Sequence, residues 1–218
     1  MPVAQTYTAL LADARRYIER GFTSASDPEV FTQLPRLVTL AERRCGRELK
    51  ILGFQVPVTS AFAIGTAVYE KPDRWRETIS MNYGTGTSNN TRNPIFPRSY
   101  EYLRNYWPDD SVTGTPEFYA DYDYQHFIVA PTPAAAYPFE MLYWQQPDML
   151  DDTNETNWLT QFAPELLLYA TLLEAVPFLK NSDQIPVWTQ MYDRAASAIN
   201  GEDLQKILDR AAGTRTKA

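Results

Sequence analysis

Histidine and cysteine are nearly absent from this chain of 218 residues, which has one of each, His126 and Cys45. A lone cysteine excludes an intramolecular disulfide and fits a reducing compartment or assembly inside a cell. A lone histidine means that a Ser-His-Asp triad or a His-rich metal site would have to be built around that one residue. His126 sits in a strand pattern beside Phe127, and a satisfied structural histidine is the ordinary reading. Cys45 lies on the apolar side of a helix pattern with no second cysteine, as a small core residue does. Phosphate-cradling, dinucleotide-binding and zinc-finger spacings are missing too. The loop Gly84 to Asn93 has no GK[ST] ending and no helix directly behind it. Positive charge is also short: 20 Lys and Arg against 27 Asp and Glu leave a net charge of −7, which argues against a protein that grips nucleic-acid phosphates over a broad surface. No signal peptide is read, and no segment clearly spans a bilayer.

Two acids remain as candidates for chemistry. Asp121 and Asp123 could hold a hard cation or act as paired carboxylates, but they flank a turn, where acids are usually solvated. The sequence therefore carries no positive case for a catalytic residue, a metal ligand or a cofactor. Two N-x-Thr sequons, at Asn89 and Asn154, read as polar loops.

What the chain does have is aromatic residues, with 5 Trp and 14 Tyr, and one very apolar stretch, Asn157 to Lys180. Its apolar residues exceed one stripe, so it reads as a helix buried inside a bundle. Asn157 or Thr160 can cap it, Pro164 is tolerated in the first turn, and Pro177 limits it to about 13–20 residues, with Glu165 and Glu174 interrupting it, which is marginal for a membrane span. Upstream, the spacing predicts a helix from Thr6 to Arg20, stopped by Gly21, and a second from Asp27-Pro28-Glu29 to about Leu49. Pro35 places the start of its regular part near Thr32. Its outer face carries Arg36, Arg43, Arg44 and Arg47 with Glu42 and Glu48, and reads as a solvated face or one that pairs with a neighbouring acidic chain, ahead of a nucleic-acid reading.

From Ile51 the period changes to two. Strands are expected around Phe54 to Val58, Ala67 to Tyr69, Trp75 to Tyr83, Glu117 to Tyr122, Gln125 to Ala130 and Tyr137 to Gln145, the last apolar on both faces and therefore central. Ser99 is expected to cap a short helix ending before Pro108. A final helix is expected from about Asp183 to Ala211, with Gly201 as a kink or short break. Between Glu101 and Gln161, eleven carboxylates face one cation, Arg104, whereas residues 1–50 are close to balanced. The expectation is an α+β architecture: a helical bundle from residues 1–50 and 157–212, a strand-rich antiparallel insertion over 51–156 with a short helix near 99–107, and a polar tail, 213–218.

Five ordered blocks carry a resemblance. They are FTQLPRLVTLAERRCGREL (31–49), KPDRWRETISM (71–81), RSYEYLRNYWPD (98–109), GTPEFYADYDYQHFIVAPTPAAAYPFEMLYW (114–144) and TNWLTQFAPELLLYATLLEAVPFLKNSDQIPVWTQMYDRA (156–195). Together they resemble the head-to-tail adaptor (connector) proteins of tailed bacteriophages. The resemblance implies a structural virion protein of the neck, not an enzyme. It implies a homo-oligomeric ring, commonly twelve-fold, under the portal protein, which extends the DNA channel and gives a tail or nozzle protein its docking surface. DNA would pass through without sequence-specific binding, and no membrane is involved. A ring needs two different complementary patches on each subunit. Arg36, Arg43, Arg44 and Arg47 on one side and Asp148, Asp151 and Asp152 on the other are the candidate pair. The C-terminal segment Gly213, Thr214, Arg215, Thr216, Lys217 and Ala218 is the candidate for portal docking. The alternative reading is an aromatic-rich carbohydrate-binding module or small glycosidase using Asp121 and Asp123. A third is a DNA-terminus or tail-completion factor.

Overall fold

A computed structural model describes residues 5–87, 90–179 and 183–215, with side chains described as far as Asp203. The chain divides into two compact units, one made of residues 1–54 with 146–218 and the other of residues 55–145.

The first unit is helical. Helix α1 (Tyr7–Ile18) starts where Thr6 Oγ1 accepts the amide of Ala9 at 3.1 Å. It buries Tyr7, Leu10, Leu11 and Ala14, and ends in a left-handed residue at Glu19. Helix α2 (Pro28–Glu48) is capped by Asp27, with Pro28 in the first turn, where its missing N–H has no helical acceptor to lose. Val30, Leu34, Val38, Ala41 and Cys45 recur at helical spacing and are all buried. Pro35 lies inside α2 and does not delay its start to Thr32. The cap and the burial of Val30 and Leu34 outweigh the one backbone hydrogen bond that the proline removes.

The apolar stretch is two helices rather than one. α4 (Trp158–Phe162) is closed by a capping box, in which Asn157 accepts from the amide of Thr160 while the Thr160 hydroxyl accepts from the amide of Asn157. Ala163 then breaks the helical geometry and Pro164 opens α5 (Pro164–Leu179). The break turns Phe162 outward, 67% exposed. α5 buries Leu166, Leu167, Leu168, Ala170, Leu172, Ala175 and Val176, on more than one side, because it packs against α1, α2 and α6. α6 (Ile185–Arg215) buries Trp188 and Tyr192. Gly201 does not interrupt it, and Ile185, Val187 and Met191 are partly exposed. Among the described residues no helix is long and apolar enough to cross a membrane.

The second unit is a curled mixed sheet with one helix, α3 (Tyr100–Tyr106), capped by Ser99. Its main strands are β1 (Gln55–Ala61), β2 (Val68–Glu70), β3 (Trp75–Tyr83), β4 (Asn93–Pro97), β6 (Phe118–Asp121), β7 (His126–Ala130) and β9 (Pro138–Gln145), ordered β1-β9-β3-β4-β6-β7-β2. The short strands β5 (Thr113–Gly114) and β8 (Thr132–Pro133) form a separate pair. β9 is central to its group, antiparallel to β1 and β3 on either side. The sheet is not wholly antiparallel, since β4 runs parallel to β6 and β5 to β8.

Residues of β6 and β7 alternate between two apolar clusters, as side chains of a strand must. Tyr119, Phe127 and Val129 join Phe62, Phe139 and Met141, while Ala120, Ile128 and Ala130 meet Leu103 of α3. At the edge, Phe62 N donates to Tyr137 O at 2.9 Å. Counting back through the β1–β9 register, Pro57 opposite Leu142 falls where the backbone faces away from β9.

Candidate functional site

The polar side chains of the helical unit fall into three groups. The first is the outer face of α2. Arg36, Arg43 and Arg47 are exposed there, and Arg47 Nε donates to the carbonyl of Arg43 at 3.2 Å. Arg44 differs. Its guanidinium holds Glu48 and Glu174, both at 3.0 Å, and lies over the ring of Tyr192 at 5.4 Å. That places it between α2, α5 and α6, engaged within its own chain.

The second group is a strap without helix or strand from Gln146 to Asn157. It shows Asp148, Asp151 and Asp152 to solvent. Asp151 Oδ1 accepts from the hydroxyl of Thr153 at 2.6 Å, its amide at 2.7 Å and the amide of Asn154 at 2.8 Å, which hold its carboxyl below the usual range. The sequon residue Asn154 lies here as well, but its amide is occupied, donating to Met149 O at 2.9 Å. Glu155 fixes the far end of the strap to the start of α1, accepting from the Thr8 amide at 3.0 Å and its hydroxyl at 2.7 Å.

The third group is buried. Glu42, read from the sequence as part of the solvated face, is fully buried. It accepts from Asn157 Nδ2 at 2.6 Å and from the amide of Leu150 at 3.2 Å. Burial pushes its carboxyl up to about 7, against the lowering effect of those two donors. One signal was present: Glu42 stands four residues after Val38 and three before Cys45, on the face that packs inward. Cys45 is buried as expected, and desolvation pushes its thiol up to about 12, leaving little thiolate to react. Of the C-terminal candidates, Gly213, Thr214 and Arg215 complete the backbone of α6, while Thr216, Lys217 and Ala218, like the other sequon residue Asn89, lie outside the described residues.

The chemical candidates of the strand-rich unit are all engaged structurally. His126 Nδ1 sits 2.9 Å from Asp123, whose Oδ1 also accepts the amides of Gln125 and His126 at 2.7 Å each. The histidine contact leads the causes that lower the Asp123 carboxyl. Asp121 pairs with Lys71 Nζ at 2.8 Å. Lys71 is only 8% exposed, with its ammonium 3.7 Å from the Trp75 ring centroid and donating to Asp123 O at 2.8 Å. Asp121 and Asp123 thus brace a strand connection. Among the described residues no three His, Cys, Asp or Glu side chains are grouped to hold a metal ion.

The polar residues of this α+β scaffold largely fix its own segments, and charged faces are left outward. The family model for the SU10 adaptor protein matches residues 5–216, and the chain belongs to that family of bacteriophage adaptor proteins. No curated protein matches the chain.

Proposed function

We propose that this chain is a head-to-tail adaptor that assembles as a ring, of twelve copies, beneath the portal protein in the neck of the virion. The ring extends the channel through which DNA passes during ejection, without sequence-specific contact, and offers a docking surface to the tail or nozzle protein. Assembly takes place in the host cytoplasm. The observation that carries this reading is the family match over residues 5–216. Two features of the helical unit support it. Arg36, Arg43 and Arg47 form one exposed cationic face, and Asp148, Asp151 and Asp152 an exposed acidic strap. A closed ring needs two such unlike patches that meet between successive copies. Arg44 belongs to the same face, although its intrachain pairs leave it the smallest share of the interface. The segment Gly213–Ala218 is proposed to reach the portal.

Native mass spectrometry and electron microscopy of the chain, alone and with portal, test the proposal. Rings are expected with portal present, and compact monomers in both samples would overturn it. Reversing Arg43 and Arg47 to Glu should abolish the ring, and adding Asp151→Lys with Asp152→Lys should restore it. Removing Gly213–Ala218 should weaken portal attachment while the fold survives, and unchanged attachment would refute the role of the tail.

A further inference from the structure

The strap Gln146–Asn157 has no ladder or helix of its own, yet it is held closely against α2. Gly46 makes room for it: a Cβ added there would lie 2.4 Å from Gln146 Nε2. That same Nε2 donates to the carbonyl of Glu42 at 3.2 Å. Leu150 inserts into the unit, 3% exposed, and its amide points at the Glu42 carboxyl. Asn157 completes the arrangement. Its Nδ2 donates to Glu42 Oε1 at 2.6 Å and to Asp148 O at 2.8 Å, while its Oδ1 accepts the amide of Thr160 at 3.2 Å. One buried carboxyl therefore joins α2, the middle of the strap and the cap of α4.

No ion pair among the described residues involves Glu42. The one titratable group that acts on it is Asp151 on the strap, which raises it, while Glu42 in turn raises Tyr7 on α1 and Cys45 on α2 itself. α4 faces it with the neutral amide of Asn157. Arg15 of α1 acts on Tyr7, and its Nε has no hydrogen-bond partner. A carboxylate buried without a cation costs far more than the same group in water.

We infer that Glu42 is a proton-controlled latch: with a proton on its carboxyl the strap lies closed on α2, and loss of that proton favours a released strap in which the carboxylate is hydrated. The sign follows from burial. In the closed state the carboxyl titrates near 7, above its ordinary 4.5. The closed state therefore binds the proton more tightly, and its advantage over the open state falls as pH rises from about 4.5 to about 7. The latch is a property of one copy. Its bearing on assembly, through the display of Asp148, Asp151 and Asp152, rests on the reading proposed above.

Hydrogen exchange at the Leu150 amide tests it on the monomer. Between about pH 6 and about pH 8, protection at Leu150 should drop about tenfold, after correction for the intrinsic exchange rate. Glu42→Gln keeps the shape of the side chain without the titration, and its protection should not vary over that range. Constant protection in the parent chain, or the same drop in Glu42→Gln, overturns the latch. If Glu42→Gln does not fold, the carboxyl carbon shift of Glu42 in the parent chain decides. A midpoint near neutrality supports the latch, and one below about 5 refutes it. Loss of rings with the exchange behaviour intact would count against the proposed assembly and leave the latch standing.

Discussion

The two units solve the same problem with different side chains. In the helical unit the core is largely aliphatic, built from Leu34, Leu166, Leu167 and Leu172 with small alanines beside the buried rings of Tyr7, Phe54, Trp188 and Tyr192, and its interior polar groups are Glu42, Asn157, Thr160 and Thr171. In the strand-rich unit the core is aromatic. Phe62 stacks on Phe139 at 4.4 Å, Tyr69 on Phe127 at 5.6 Å, and Phe127 meets Phe139 edge-on at 6.2 Å. Rings bury large areas with few rotatable bonds, which suits a curled sheet whose strands come from distant parts of the unit. The helical unit can use smaller side chains because its helices close their own backbone hydrogen bonds, and it is left with loop polar groups to satisfy. Its buried acid belongs to that task.

Substitutions that damage one unit at a time sharpen the contrast. The largest loss is expected from Phe127→Ala, about 3–5 kcal/mol, since it removes a ring that touches two others. Urea unfolding followed by aromatic circular dichroism should show it. Thiol labelling of Cys45, buried in the other unit, should keep its slow rate if the units unfold separately. Leu172→Ala should cost about 2–5 kcal/mol and should do the reverse, speeding Cys45 labelling while aromatic signals of the sheet persist. Cooperative loss of both signals in either variant would dissolve the distinction. Asn157→Ala should cost about 1–2 kcal/mol, mainly as a lost cap, and should expose the strap to proteolysis before α2. The smallest change is a gain. Gly201 has open space where a Cβ would stand, so Gly201→Ala should stabilise α6 by about 0.5–1 kcal/mol, read as a higher Tm for the helical signal alone.

How far the sequence was legible follows the same division. Caps and strand periods are local, and Thr6, Asp27, Ser99 and Asn157 each cap the helix that their positions announce. The apolar excess of α5 correctly marked it as interior. Burial of charge was legible only in the helical spacing of Glu42, because it otherwise depends on partners far along the chain. Glu42 is buried by Leu150, 108 residues away, and Lys71 by the turn that holds Asp123, 52 residues away. The break at Ala163 and the continuity through Pro35 likewise depend on which neighbouring surfaces the helices meet. The outward arginines and aspartates were legible as charges, while the capture of Arg44 by Glu174, 130 residues away, was not.

Pro57 has a consequence beyond its own strand. β1 is the last strand of its sheet on that side, and the other edge, β2, is only three residues long. A foreign strand laid along β1 would find no donor at Pro57, while β2 offers too short a template to compensate. Crowded copies of this chain are thereby discouraged from growing into one another's sheets, and any order they adopt is left to side chains, whose contacts can be made and unmade without unravelling the fold.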